Sequence, residues 1–202
     1  MKGIDLCPSR EYYYSQLNNE VDPYNACQVT SLVAGLDLAH HSLDRIRAVA
    51  EYEQPEDCLY HYICENAEVQ AFHRDSHPGT DIPAVQWADV RVFAVNRLYG
   101  KEVVYFDGDL SASKIVIDLA NHLPVTVSMR YPSNRNFAGQ LSPVDGHVVL
   151  VVGLVGGNFL VNDPYKNHLS GDRDGYKNLY TTEDWAMCFK GYGIRFKGGG
   201  HA

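Results

Sequence analysis

The stretch from Asn25 to Leu38, NACQVTSLVAGLDL, constrains this chain most, because it is an unbroken helical pattern that opens on a cysteine. Val29, Leu32, Val33, Leu36 and Leu38 recur at about helical spacing, with Thr30, Ser31 and Asp37 on the other face, which predicts an amphipathic helix. Pro23 and Asn25 lie just upstream, and Asn25 is the residue type that caps a helix start. A thiol on that first turn faces unpaired N–H groups and the positive end of the helix dipole. Both favour the thiolate, which is the nucleophilic form. Most free cysteines are small buried hydrophobes, so the stretch alone carries no chemistry.

The rest of the composition narrows the class. A chain of 202 residues suits a single domain spanning 1–202, large enough to bury a core without staples. A formal net charge of −8 with no basic run argues against a nucleic-acid surface. Cys7, Cys27, Cys58, Cys64 and Cys188 are odd in number and lack framework spacing, which fits reduced thiols. The opening MKGIDLCPSREYYYSQ has no apolar stretch of signal-peptide length, and the longest apolar run, Val148 to Val155, is too short to span a bilayer. The expectation is a soluble chain made in the cytoplasm, with no membrane or nucleic-acid partner and no cofactor. Any action at a cell wall would need release by another agent.

Along the chain, residues 1–24 read as an irregular lead-in with the cluster Tyr12, Tyr13, Tyr14, followed by a turn-rich SQLNNEVDPYN. Helices are expected from Cys27 to about His40, from Leu43 to Tyr52 behind Ser42, from Pro55 toward Phe72, and from Pro83 to Gly100. HRDSHPGTD, residues 73–81, reads as a loop. After Lys101 come a short strand to Asp107, a helix capped by Ser111 or Ser113, and a strand from Pro124. A polar loop, PSNRNFAGQLSPVDG, precedes strands over His147–Leu154, Asn158–Asp163 and Gly193–Phe196, with Gly156-Gly157 as a hairpin signal. A helical N-terminal half packed on a mostly antiparallel C-terminal sheet is an α+β fold. GGGHA, residues 198–202, reads as a flexible tail.

Three positions together carry chemistry. His147 opens the strand HVVLVVGL, and Asp163 ends FLVND sixteen residues on, across the hairpin. In an antiparallel pair a residue starting one strand lies beside one ending the next, so the two become neighbours. A carboxylate that orients an imidazole facing a helix-start cysteine is a nucleophile–base–orienter set. Asn162 is the adjacent candidate orienter, but neighbouring strand residues face opposite sides, and Asp163 is preferred.

The segments SQL, CQVTSLVAGL, GHVVLVVGL and VNDP, in that order, resemble papain-like cysteine peptidases of the bacteriocin-leader-processing, C-39-like group. The resemblance runs from about Tyr14 to the C-terminus and is clearest at residues 15–36 and 146–164. It implies a papain-like fold with Cys27 as nucleophile, His147 as general base and acid, and Asp163 as orienter. It also implies that Gln16, eleven residues before Cys27, supplies an oxyanion donor beside the Cys27 backbone N–H. That group usually has glycine after its cysteine; here Gln28 stands there.

Other candidates are weaker. Cys58, Cys64, His73 and His77 suggest zinc, but five residues separate the two cysteines, more than metal-site spacing uses. Residues 170–176, SGDRDGY, echo a calcium loop, but its twelfth position would be Thr181 rather than a bidentate glutamate. No metal is therefore expected. The resulting function is a cysteine endopeptidase acting on peptides, with a phage-type lysin that cuts peptidoglycan stem-peptide cross-links as one form by family analogy. A peptide-binding domain without catalysis and an acyl transferase using the same triad are the alternatives.

Overall fold

The structure is a computed structural model in which residues 3–132, 134 and 143–199 are described. At its centre lies α1, Cys27–Leu38. The expected amphipathic helix is buried nearly all round instead, with Val29, Thr30, Leu32, Val33 and Leu36 fully enclosed. Its polar residues take partners inside the protein: Asn19 Nδ2 donates to Thr30 Oγ1 at 3.3 Å, and Ser31 Oγ donates to the Val148 carbonyl at 3.1 Å. A polar stripe on a helix marks solvent only when nothing else covers it.

The other helices depart from expectation mainly at their ends. α2 is one turn, Asp44–Arg47, where a helix to Tyr52 was expected. α3, Pro55–Glu65, and α4, Ala67–Ser76, replace one continuous helix. Asn66 sits between them in an extended conformation, and its side chain accepts from the backbone N–H groups of Glu68 and Val69. An Asn inside a helical pattern can start a new helix in this way. α4 also runs into the segment read as loop. Residues Ala84–Gln86 form a 3-10 turn, and α5 spans Ala88–Tyr99, closed by Gly100 in the left-handed conformation. α6, Ala112–Ala120, is capped by Ser111, and α7, Thr182–Cys188, by a Thr181/Asp184 capping box.

The strands are β1 Ile4–Asp5, β2 Val104–Asp107, β3 Val125–Tyr131, β4 Val144–Val155, β5 Asn158–Asn162, β6 Asn178–Tyr180 and β7 Phe189–Phe196. They form one antiparallel sheet in the order β2-β7-β3-β4-β5-β6, with β1 pairing to β4. β1, β6 and α7 escaped the sequence reading, because strands of two or three residues and a helix of seven are too short to show a clear period. The expected polar loop lies largely outside the described residues.

Helices cover both faces. Leu150 and Val152 of β4 join the cluster built on α1, α3 and α5. Val149 and Val151 join the cluster that holds Ile115 and Leu119 of α6 and Trp185 of α7. A strand covered on both sides reads as a continuous apolar run, which explains VVLVV. The C-terminal segment leaves β7 still attached: Gly199 N–H donates to the Ala39 carbonyl at 2.9 Å. No helix among the described residues is long and apolar enough to cross a membrane.

Candidate active site

Cys27 is the first residue of α1 and is 5% exposed. No side chain caps this helix. Ala26 occupies the cap position, and the expected cap, Asn25, turns its amide to Asp22 at 3.1 Å. The first-turn N–H groups therefore stay uncovered beside the thiol, where a developing anion can meet them.

His147 lies in β4 opposite Met129, just past a bulge at which Gly146 is the extra residue. The strand thus begins three residues earlier than expected. Asp163 follows β5 directly, and its carboxylate Oδ1 takes the His147 Nε2 at 2.8 Å. The other ring nitrogen is left for Cys27, whose charge acts on the imidazole. The structure therefore brings Cys27, His147 and Asp163 together. Asn162 points elsewhere: its Nδ2 donates to Cys7 Sγ at 3.4 Å, and its Oδ1 accepts from the Lys177 N–H. Phe159 and Val161 share one face of the sheet with Val149 and Val151, and the parity of that face carries Asp163 toward His147.

Burial by itself would drive the His147 ring neutral. The charges of Asp163 and Cys27, with the Asp163 hydrogen bond, overcome that and push its pKa up to about 10. Burial by itself would likewise raise Asp163, yet His147 and His168 hold it well below the usual carboxylate range.

His168 is the residue that sequence reasoning missed. Its Nδ1 meets the second carboxylate oxygen of Asp163 at 2.5 Å, and the ring is stacked on Tyr131 with centroids 4.5 Å apart. Burial lowers its pKa, so it serves Asp163 as a neutral donor. Backbone N–H groups of Tyr165 and Lys166 complete the cradle on Oδ1. Only its place five residues after Asp163, in YKNHL, hinted at this. Gly175 lies so close behind that a Cβ there would meet the Asp163 carbonyl oxygen at 1.9 Å.

Gln16 is buried in the lead-in. Its N–H donates to the Pro164 carbonyl at 2.8 Å, and its Nε2 donates one hydrogen to the Pro23 carbonyl at 2.9 Å. Tyr13 Oη and Ser15 Oγ donate to the carbonyls of Asp163 and Pro164, so the lead-in is strapped to the segment that carries the carboxylate.

His147, Asp163 and His168 bring possible metal-ligand atoms within 4.8 Å of one another. Both rings already direct those nitrogens at the carboxylate, and a metal would have to displace them. The four residues considered for zinc have other partners or are spread apart: Cys58 Sγ faces the Ala50 carbonyl, and His77 pairs with Asp89 and stacks on Trp87. In the segment considered for calcium, Asp172 accepts from Ser170 and Asp174 pairs with Arg10.

The profile of the Peptidase_C39 like family matches residues 12–192. Among solved structures, xylellain, a cysteine protease from Xylella fastidiosa, superposes with a TM-score of 0.53 at 13% identity, covering 98% of this chain and 87% of that one. At that identity the likeness is one of fold. Curated proteins give no match.

Proposed function

The chain belongs to the C-39-like family of cysteine peptidases, and on that premise we propose that Cys27, His147 and Asp163 hydrolyse peptide bonds within a chain through a thioester. The Cys27 thiolate attacks the scissile carbonyl carbon. The resulting oxyanion is met by the Cys27 backbone N–H and by the second amide hydrogen of Gln16, the one not given to Pro23. The imidazolium of His147 hands its proton to the departing amine as the C–N bond breaks. Water then attacks the thioester, His147 takes the proton from it, and the sulfur leaves as thiolate. Asp163 holds the ring in line and steadies its positive charge throughout.

What supports this reading is the His147 ring held at 2.8 Å by the Asp163 carboxylate while its charge responds to that of Cys27. Its test is selective alkylation. Burial pushes the thiols of Cys64 and Cys188 up to about 11 and also raises Cys7, so these sulfurs stay protonated at neutral pH. Iodoacetamide at pH 6 should label Cys27 far ahead of the others, and His147→Ala should remove that lead. Labelling at equal rates would leave a peptide-binding domain without catalysis.

The substrate class follows from the same reading: a peptide, with the stem-peptide cross-links of bacterial cell wall as the lysin form. Zymograms on purified peptidoglycan and on casein separate the two, and failure to clear any wall preparation removes the lysin form. Mass analysis with an added amine separates hydrolysis from acyl transfer.

A further inference from the structure

A cavity of about 700 Å³ opens beside the reacting residues. Gln28, which follows Cys27, and Gly146 and Val148, which flank His147, form part of its wall, so an occupant lies beside the residues that carry the reacting atoms. Val127, Ile194 and Trp87 make much of the remainder apolar. Arg91 of α5 stands on this wall, only 5% exposed.

Its guanidinium has no carboxylate at contact among the described residues, although the charges of Cys27 and Asp89 reach it from farther off. Nη1 donates to the Val85 carbonyl at 2.7 Å, while Nε has no partner. No Asp or Glu among the described residues forms an ion pair with it, whereas Arg10, Arg97 and Arg195 each hold a carboxylate. Asp89, in the same wall, is taken by His77 at 2.9 Å. Burial lowers the Arg91 pKa only to about 10, so the group is positive at neutral pH. A buried cation with no carboxylate in contact and an unpartnered Nε is costly, and in a cleft the missing contact can come from a ligand.

We propose that Arg91 is a specificity residue that binds a carboxylate of the substrate in this cleft, either an Asp or Glu side chain or a free C-terminus. The proposal rests on the peptidase reading, since it places that carboxylate on the peptide whose bond faces Cys27. Guanidinium and carboxylate pair with charge-assisted hydrogen bonds, and an isosteric amide cannot replace the charge.

The test uses positional-scanning peptide mixtures in which one position is Glu, Gln, Asp or Asn, each made as free acid and as C-terminal amide. Wild-type protein should cleave Glu over Gln, or free acid over amide, by about tenfold to a hundredfold in kcat/KM at a single position. Which arm shows the preference identifies the source of the carboxylate. Arg91→Met should reduce the ratio to near one. Arg91→Lys, which keeps a charge if the methionine variant does not fold, should retain part of it. The same peptides are titrated calorimetrically into Cys27→Ala protein, which reads binding without turnover. Cleavage with no acid preference at any position overturns the subsite and leaves the peptidase standing. Acid-dependent binding without cleavage by wild-type protein supports the subsite and removes the peptidase reading. No acid dependence in either measurement overturns the proposal.

Discussion

Asp163 is where single side chains matter most. It accepts from two histidines and two backbone N–H groups while fully buried, so its charge is balanced by an imidazolium rather than by water. Asp163→Asn keeps an acceptor for the ring but removes the charge that raises His147. The imidazolium should then lose its proton at lower pH. On the proposed mechanism the alkaline limb of kcat/KM should lie near pH 10 in the wild type and move down by at least one unit in the variant. Turnover should also fall by about tenfold to a hundredfold. An unmoved limb would mean that Asp163 does not govern the ring. His168→Phe preserves the stack on Tyr131 and deletes the donor to the second carboxylate oxygen. It should lower kcat by roughly tenfold with KM unchanged, because His168 acts through Asp163 and not on substrate.

Among the elements, α1 is held by close approach to the sheet. Phe196 of β7 lies over Gly35, and a Cβ at that glycine would meet the ring at 2.1 Å. Gly35→Ala should cost about 1–3 kcal/mol in urea unfolding, since neither the buried ring nor the helix has room to yield. The same displacement would move Cys27, two turns away on the same helix, so the alkylation lead of Cys27 should shrink with it. A variant with unchanged stability would show that the ring has space to rotate. Periodicity in the chain marked this helix and its length, but the role of Gly35 depends on a ring that arrives from the last strand.

At the scale of the whole molecule, folding stability should decline as pH rises past the acid range. Glu56 is fully buried with neither carboxylate oxygen paired, and burial lifts its pKa from 4.5 to about 7. The folded chain keeps a proton that the unfolded chain releases between those values. Stability therefore falls across that window, and the cost is complete above it. His147 acts in the same direction at higher pH: its raised pKa contributes stability that is complete below 6.5 and lost as pH rises through about 10. Glu56→Gln should therefore raise the thermal midpoint relative to wild type at pH 8, by roughly 2–3 kcal/mol in equivalent stability, and lose most of that advantage at pH 4.5. An advantage equal at both pH values would show that charge is not the cause.

How far the chain could be read follows from the range over which each signal acts. Apolar period, glycines and caps act within a few residues, and they marked α1, the β4–β5 hairpin and the α+β division. The order SQL, CQVTSL, GHVV, VNDP carried the family resemblance, because each motif is local. Spacing across one hairpin was enough to pair His147 with Asp163. His168 behind that carboxylate, Arg91 without a contacting carboxylate in the cleft, and the covering of Thr30 and Ser31 were decided only in three dimensions. Each depends on segments far apart in sequence that exclude water from a polar group, and burial is a property of the assembled fold that no short stretch of residues encodes.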